Sequence, residues 1–191
     1  MYSFNVGITL ERRLTIGGFY MKPIILETES LQLRPVEVDD YTQLWKGCFI
    51  NWDVFEGQTY VPVTEKQLYT LLRKIVIDYD LEKDEKLYWA IVLKSINEVI
   101  GVIDVHGMSL GYNLGVAYRG FGYMTEAAQT VLKYAMHIKD YPYIKARCKT
   151  TNRKSIAVLE RCGFSSYGCC TDNYINGAYK TNKYIVFKED L

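Results

Sequence analysis

The sequence has little of what metal sites and disulfide frameworks require. Its five cysteines form no Cys-x-x-Cys pair, and its two histidines are His106 and His137, so the spacing of a four-ligand zinc site is missing. We therefore expect no metal, and we interpret the cysteines as free thiols of a reducing compartment.

Neither sign of charge is in excess. The chain has 23 Lys and Arg against 22 Asp and Glu, a formal net charge of +1, so we expect no direct nucleic-acid binding. No apolar run approaches the roughly 20 residues of a membrane span, and the N-terminal charges follow an apolar stretch, the reverse of a secretory signal. These absences predict a cytoplasmic protein without a membrane partner.

What the chain does contain is an alternation of short strand and helix patterns. Its 191 residues suit one domain, and we interpret residues 1–20 as an extension and residues 21–191 as a single domain. Strand patterns occur in "LQLRPV", in the two runs of "LYWAIVLKSINEVIGVIDV" and in "MSLGYNLGV", which predicts an antiparallel meander. Helical spacing marks "TEKQLYTLLRKIVIDY", "MTEAAQTVLKYAMHIK" and "NRKSIAVLERCGF". Thr64 and Gln67 have the spacing of a capping box, and Asn152 is the predicted cap of the last helix. The order predicts a mixed α/β fold.

A turn with two glycines joins the third β-rich run to the next helix. In "YRGFGYMTEA", Gly120 and Gly122 lack the Cβ atoms that would keep an anion from the backbone, and Arg119 adds a cationic donor. Unpaired N–H groups at the helix start face the same place, which predicts phosphate binding. A plain tight turn would use the same glycines. Two familiar phosphate motifs do not fit, because no lysine follows Gly122 and Thr125 stands where a dinucleotide fingerprint has its third glycine.

Three stretches of the sequence, in order, resemble one family. "YRGFGYMTEA" resembles the pyrophosphate loop of the GNAT superfamily of acetyl-CoA-dependent N-acetyltransferases, with Arg119, Gly122 and Met124 at its marked positions. "NRKSIAVLERCGF" is similar to a signature of the ribosomal-protein N-terminal (RimJ/RimL-type) acetyltransferase branch, and "YINGAY" is similar to the late hairpin of that branch. The resemblance covers about residues 24–191.

The resemblance implies a fold and a cofactor site. The fold is α+β, with a mixed, mostly antiparallel seven-stranded sheet whose fourth and fifth strands splay apart, flanked by about four helices. The pantetheine arm of acetyl-CoA would pair with the fourth strand through main-chain groups, and loop amides would bind the pyrophosphate. The implied cofactor contacts are Leu114, Val116, Arg119, Gly120, Phe121, Gly122, Tyr123, Met124, Thr125, Asn152 and Ser155.

The resemblance also implies how the leaving group is handled. A neutral amine attacks the thioester, and coenzyme A leaves as a thiolate that benefits from a proton donor. Many GNAT enzymes have a tyrosine for this purpose at the position of Leu159. In the RimL-like branch the serine that matches Ser155 is proposed to protonate the thiolate, and Asn152 lies three residues before it on the same helix face.

The residue that accepts the amine proton is less well marked. RimL-like enzymes have a glutamate just before the late hairpin, where this chain has Asn173. We interpret the adjacent Asp172 as the candidate proton acceptor, with Asp104 and His106 as other candidates.

Two classes of function remain open from the sequence. The first is acetyl transfer, and the acceptor that we expect is the α-amine of a protein N-terminus, such as that of a ribosomal protein. An α-amine has a pKa of about 7.7–8.0 and therefore needs a weaker base than a lysine, whose pKa is about 10.4. A small amine, such as an aminoglycoside or a polyamine, is the alternative acceptor. The second class is a non-catalytic acetyl-CoA-binding module. A homodimer is also left open.

Overall fold

The computed structural model describes residues 24–49, 64–80, 86–174 and 177–191. The predicted extension, residues 1–20, lies outside the described residues, as do residues 175–176 at the tip of the "YINGAY" hairpin. No helix in the described part of the chain is long and apolar enough to cross a membrane.

The described residues form eight strands, four helices and two further 3₁₀ turns, Val116–Tyr118 and Lys188–Asp190. The strands are β1 (Leu26–Glu27), β2 (Leu31–Pro35), β3 (Leu87–Leu93), β4 (Glu98–His106), β5 (Ser109–Leu114), β6 (Tyr143–Lys149), β7 (Ser165–Tyr174) and β8 (Gly177–Phe187). The helices are α1, made of a 3₁₀ turn (Val38–Asp40), an α turn (Tyr41–Leu44) and a π turn (Trp45–Phe49), then α2 (Glu65–Asp80), α3 (Tyr123–Lys133), which continues as a π turn (Tyr134–Ile138), and α4 (Arg153–Arg161).

All eight strands belong to one sheet, in the order β1-β2-β3-β4-β5-β6-β8-β7. Every neighbouring pair is antiparallel except β5 and β6, which are parallel and share a single register pair, Ser109 with Lys145. The predicted mixed sheet with two splayed strands is confirmed. The sheet has one strand more than expected, because the short β1 pairs with β2, so the splay lies between the fifth and sixth strands.

The two faces of the sheet carry separate apolar cores. One core lies under α3 and α4, and its fully buried side chains include Trp89 and Leu132. The other lies under α1 and α2 and includes Leu44 and Leu68. Because successive side chains of a strand alternate between faces, neighbouring residues of β4 and β5 face different helices.

Helix α2 begins at a capping box that its sequence predicts. The backbone N–H of Gln67 donates to Thr64 Oγ1, and the backbone N–H of Thr64 donates to Gln67 Oε1, each at 3.2 Å. Leu68, Leu72 and Ile75 then lie on one face of the helix and are buried against the sheet. Amphipathic spacing therefore fixes which face of α2 packs inward.

A buried ion pair fastens the start of α1 to strand β2. Arg34 donates two hydrogen bonds to Asp40, at 2.9 and 2.6 Å, and the Asp40 side chain is 6% exposed. Asp40 also accepts a hydrogen bond from the backbone N–H of Glu37 at 2.8 Å. Removing one partner of such a pair leaves the other charge buried without compensation.

We expect Asp40→Ala to lower the free energy of unfolding by about 2–3 kcal/mol, because it deprives Arg34 of its bidentate partner. Lys74→Ala is the control, since the Lys74 side chain is 68% exposed and its pair with Asp78 is expected to contribute at most about 0.5 kcal/mol. Urea unfolding followed by circular dichroism measures both changes. Equal stability losses in the two variants would contradict the structural role of the Arg34–Asp40 pair.

Candidate functional site

A deep cleft of about 1620 Å³ opens where β5 and β6 diverge. Two strands joined by a single register pair leave their remaining main-chain groups available to a ligand, which is the geometry needed for an extended molecule to add to a strand. The predicted site residues that line this cleft are Leu114, Val116, Arg119, Gly120, Gly122, Tyr123, Met124, Thr125, Asn152, Ser155 and Asp172, whereas Phe121 and the alternative candidate His106 do not.

The turn between β5 and α3 has the backbone expected of an anion-binding loop. Gly120 and Gly122 have φ values of +90° and +89°, which residues with a side chain rarely adopt. A Cβ atom added at either position would meet no atom within 4 Å. The N–H of Glu126 is bonded to Gly122 O at 3.0 Å, so the N–H groups of the preceding helical residues, Tyr123 to Thr125, lie before the first helical bond. Open space, free donors and the positive end of α3 therefore coincide.

Arg119 is held against the strand that precedes the loop. Its Nε donates to Leu114 O at 3.0 Å, so part of the guanidinium stabilises the end of β5. Phe121 lies at the outside of the loop, with 69% of its surface exposed, and stacks on Tyr123 with ring centroids 5.9 Å apart. Of the predicted cofactor contacts, Phe121 is the one that the structure does not bring to the cleft wall.

The first turn of α4 places two of the predicted catalytic residues. Asn152 caps the helix by accepting a hydrogen bond from Ser155 N at 3.0 Å. Ser155 Oγ lies 2.7 Å from the hydroxyl of Tyr112, a β5 residue that the sequence did not single out. Leu159, where many GNAT enzymes have a tyrosine, is buried in the core under α4. A tyrosine hydroxyl therefore reaches Ser155 from the strand instead of from the helix.

Asp172, the predicted proton acceptor, lies on β7 and already has a partner. Arg147 Nη1 lies 3.2 and 3.4 Å from the two oxygens of the Asp172 carboxylate. Cys170 Sγ also lies 3.4 Å from Asp172 Oδ1. The neighbouring Asn173 lines the cleft too.

Asp104 presents a second carboxylate to the cleft, from β4. It lies two residues after Val102 and on the same face, toward α1 and α2, and it packs over Gly111, where an added Cβ would come within 2.7 Å of Oδ1. No hydrogen bond from the described residues reaches this carboxylate. Burial raises the pKa of Asp104 to about 7, against the opposing charge of Lys86. His106, the other candidate, is exposed at the end of β4.

Asn113 lies on β5, on the same face as Gly111 and Asp104. Its side chain is among the buried polar groups of the protein, and the residue lines the cleft. Its amide nitrogen has no hydrogen-bond partner among the described residues. A buried donor without a partner is costly unless a ligand satisfies it.

No group of three or more histidine, cysteine, aspartate or glutamate side chains in residues 24–49, 64–80, 86–174 and 177–191 is arranged to hold a metal ion. The lining of the cleft includes hydroxyls, carboxylates, the Cys148 thiol and the amines of Lys86 and Lys154.

A family model described as an acetyltransferase (GNAT) domain matches residues 30–165, a segment that contains the turn with Gly120 and Gly122 and also Ser155. The chain belongs to the GNAT acetyltransferase family. It is an acetyl-CoA-dependent N-acetyltransferase.

Curated relatives and solved structures agree with this family. "Probable N-acetyltransferase YjcK" of Bacillus subtilis (strain 168) is 29% identical over 170 residues, covering 83% of this chain and 94% of YjcK. "Uncharacterized N-acetyltransferase YjdG" of the same organism is 34% identical over 162 residues, covering 74% of this chain and 89% of YjdG.

Among solved structures, the ribosomal-protein-S5-alanine acetyltransferase from Vibrio fischeri has a TM-score of 0.74 at 21% identity, covering 87% of this chain and 98% of its own. The microcin C7 self-immunity acetyltransferase MccE, solved with acetyl-CoA and AMP, has a TM-score of 0.67 at 19% identity, covering 84% of this chain and 93% of its own. These likenesses support the GNAT fold.

We expect Gly122→Val to abolish acetyl-CoA binding in a protein that still folds, because the new side chain would occupy the open space in front of the helix N-terminus. Calorimetric titration with acetyl-CoA measures the affinity. Gly107→Val is the matched control, since Gly107 also has a positive φ, +50°, and open space around its Cβ position, but lies in the β4–β5 turn. Unchanged affinity for acetyl-CoA in a folded Gly122→Val protein would show that this loop does not bind the pyrophosphate.

Proposed function

We propose that this GNAT enzyme transfers the acetyl group of acetyl-CoA to the α-amine of a peptide or protein N-terminus. The observation that carries the proposal is the Asp104 carboxylate, which faces the cleft without a hydrogen bond from the described residues and has a pKa of about 7. A general base works best when its pKa lies near the working pH.

The pKa of the base selects the kind of amine. Proton transfer to a group of pKa about 7 is unfavourable by about one unit from an α-ammonium and by more than about three units from a lysine ammonium. Asp104 is therefore basic enough to deprotonate an N-terminal amine, whereas a lysine amine would need a stronger base. From the sequence, the absence of a glutamate at Asn173 favours an acceptor that needs only a weak base, such as an α-amine. The Asp104 carboxylate leads to the same class of acceptor.

Asn113 supports a peptide rather than a simple amine. Its buried amide nitrogen lies on the same face as Asp104 and lacks a partner among the described residues. A peptide N-terminus carries a carbonyl oxygen two bonds from the carbon that bears its amine, and Asn113 would donate to that oxygen. An acceptor without such an oxygen would leave the donor unsatisfied, which disfavours it.

The remaining roles follow from the cleft. The loop from Gly120 to Thr125 would hold the pyrophosphate, and the freed edge of β5 would pair with the pantetheine arm. Ser155 would protonate the leaving thiolate, with Asn152 orienting it through the helix cap. Asp172 stays a prediction, and its engagement with Arg147 makes it the weaker candidate for the base.

The acceptor is tested with two matched peptides. One has a free α-amine and a blocked lysine, and the other has a blocked α-amine and a free lysine. We expect transfer to the first at both pH 7 and pH 9, with Ser or Ala as first residues preferred over bulky ones. Release of coenzyme A, followed with a thiol reagent, measures the rate.

Two outcomes would contradict the proposed acceptor. Preference for the lysine peptide already at pH 7 would require a base stronger than Asp104. No thiol release with any peptide, polyamine or aminoglycoside, together with thermal stabilisation by acetyl-CoA, would instead favour the non-catalytic binding module.

We expect Asp104→Asn to lower kcat/KM by about a hundredfold or more and to remove the ionisation near pH 7 from its pH profile, while the α-amine keeps its own ionisation near ~8. Asp172→Asn is the control and should keep both ionisations. If Asp172→Asn alone removes the lower ionisation, the base is Asp172 and not Asp104.

The Asp104→Asn substitution is also expected to change how the stability of the protein depends on pH. Because folding raises the pKa of Asp104 from 3.8 to about 7, the folded protein binds the proton more tightly, and stability falls as the pH rises through this range. Asp104→Asn should therefore be more stable than the parent protein at pH 8 and gain less at pH 4. A loss of activity joined to a gain in stability distinguishes a lost base from a damaged fold.

A further inference from the structure

Two hydroxyl groups meet on the cleft wall under α4. Tyr112 Oη lies 2.7 Å from Ser155 Oγ, and either atom can be the donor. Tyr112 Oη also lies 3.3 Å from the backbone oxygen of Ser155, a longer and weaker contact. Both residues line the cleft, and the Tyr112 ring packs against the core under α3 and α4, so the position of its hydroxyl is fixed by packing.

A serine by itself is a poor acid for a thiolate. An aliphatic hydroxyl is about as weak an acid as water, with a pKa of ~15.7, whereas a thiol has a pKa of about 8.5. Complete transfer from serine to the thiolate is therefore unfavourable by roughly seven pKa units. A phenol, with an ordinary pKa of about 10, is a much closer match. Ser155 needs a second group that replaces its proton as it leaves.

We propose that Tyr112 supplies the proton that Ser155 passes to coenzyme A. As the thioester C–S bond breaks, the sulfur takes the Ser155 proton, and Ser155 takes the Tyr112 proton in the same step. Tyr112 regains a proton from water after the products leave. The inference rests on the proposed function, with Ser155 as the group that contacts the sulfur. Tyr112 acts through Ser155 and is therefore a positioning residue.

The surroundings of Tyr112 suit this role. Burial raises the pKa of Tyr112 above its ordinary value, against the opposing hydrogen bond with Ser155, so the hydroxyl is protonated at neutral pH but is a weaker acid than a free phenol. It is still a stronger acid than an aliphatic hydroxyl, so passing its proton to Ser155 costs less than leaving a serine alkoxide. Tyr112 lies on the sheet face that packs against α3 and α4, whereas the proposed base, Asp104, lies on the opposite face. The reason is that Asp104 packs over Gly111 and the adjacent Tyr112 points to the other side of the sheet. The proton taken up and the proton given out therefore do not compete for one site.

The experiment compares Tyr112→Phe, Ser155→Ala and the double variant. With the relay in place, Tyr112→Phe should lower kcat by about ten- to a hundredfold and leave the KM for acetyl-CoA nearly unchanged, because the contact matters in the transition state. The double variant should be no slower than Ser155→Ala, since the two groups act as one unit. Tyr134→Phe is the control, because it removes a buried hydroxyl that has no partner among the described residues and lies away from the cleft.

Solvent isotope effects separate a relay from a packing role. In mixtures of H₂O and D₂O, kcat of the parent protein should depend on two moving protons and that of Tyr112→Phe on one. A protein with a difluorotyrosine at position 112 keeps the hydroxyl but makes it more acidic, and it should retain a two-proton dependence with a changed kcat. This second variant keeps the test valid if Tyr112→Phe folds poorly.

The outcomes distinguish the two proposals. Absence of acetyl transfer in the parent protein overturns the proposed function and the relay together. An active parent protein whose kcat and isotope effect are unchanged by Tyr112→Phe overturns the relay alone. Losses in Tyr112→Phe and Ser155→Ala that multiply in the double variant would also overturn the relay, because independent groups would then be responsible.

Discussion

The divergence of β5 and β6 is the constraint on which the rest of this protein depends. Parallel neighbours in a sheet normally bond along their length, but these two share one register pair and then separate. The separation exposes main-chain groups in the middle of the sheet, where a helix N-terminus and two glycines lie at the end of β5. An unpaired stretch in the centre of a sheet is costly, and a cofactor that adds to the strand would satisfy it.

The pleat of the same strands organises the chemistry around that opening. Asp104 faces α1 and α2, while Tyr112 faces α3 and α4, although Asp104 pairs with Gly111, the immediate neighbour of Tyr112. A period of two residues is thus enough to hold a carboxylate and a phenol hydroxyl on opposite faces of the sheet beside one cleft. Gly111 has a part in this, since a side chain there would displace the Asp104 carboxylate.

Much of the architecture follows from local patterns, because those patterns reflect local physics. Helix α2 begins at the Thr64–Gln67 box, α4 begins at Asn152, and α3 begins after the positive-φ Gly122, all as the sequence predicts. Strand β7 was harder to recognise, since its sequence "SSYGCCTDNY" has few large apolar residues. Among the described residues β7 is an edge strand that pairs only with β8, so long-range pairing and not its own alternation defines it.

The sequence by itself determined the family, the glycine turn before α3, the helix cap of α4 and the candidate Ser155, because each of these depends on residues close together along the chain. Only the tertiary structure decided which groups surround that serine and which carboxylates in the cleft have hydrogen-bond partners. Tyr112 and Ser155 are 43 residues apart in the chain yet share a hydrogen bond, and Asp172 is occupied by Arg147 from another strand. The burial of a side chain, its hydrogen-bond partners and its direction are set by the packing of segments distant in the sequence. The pKa of the side chain and its access to the cleft depend on all three.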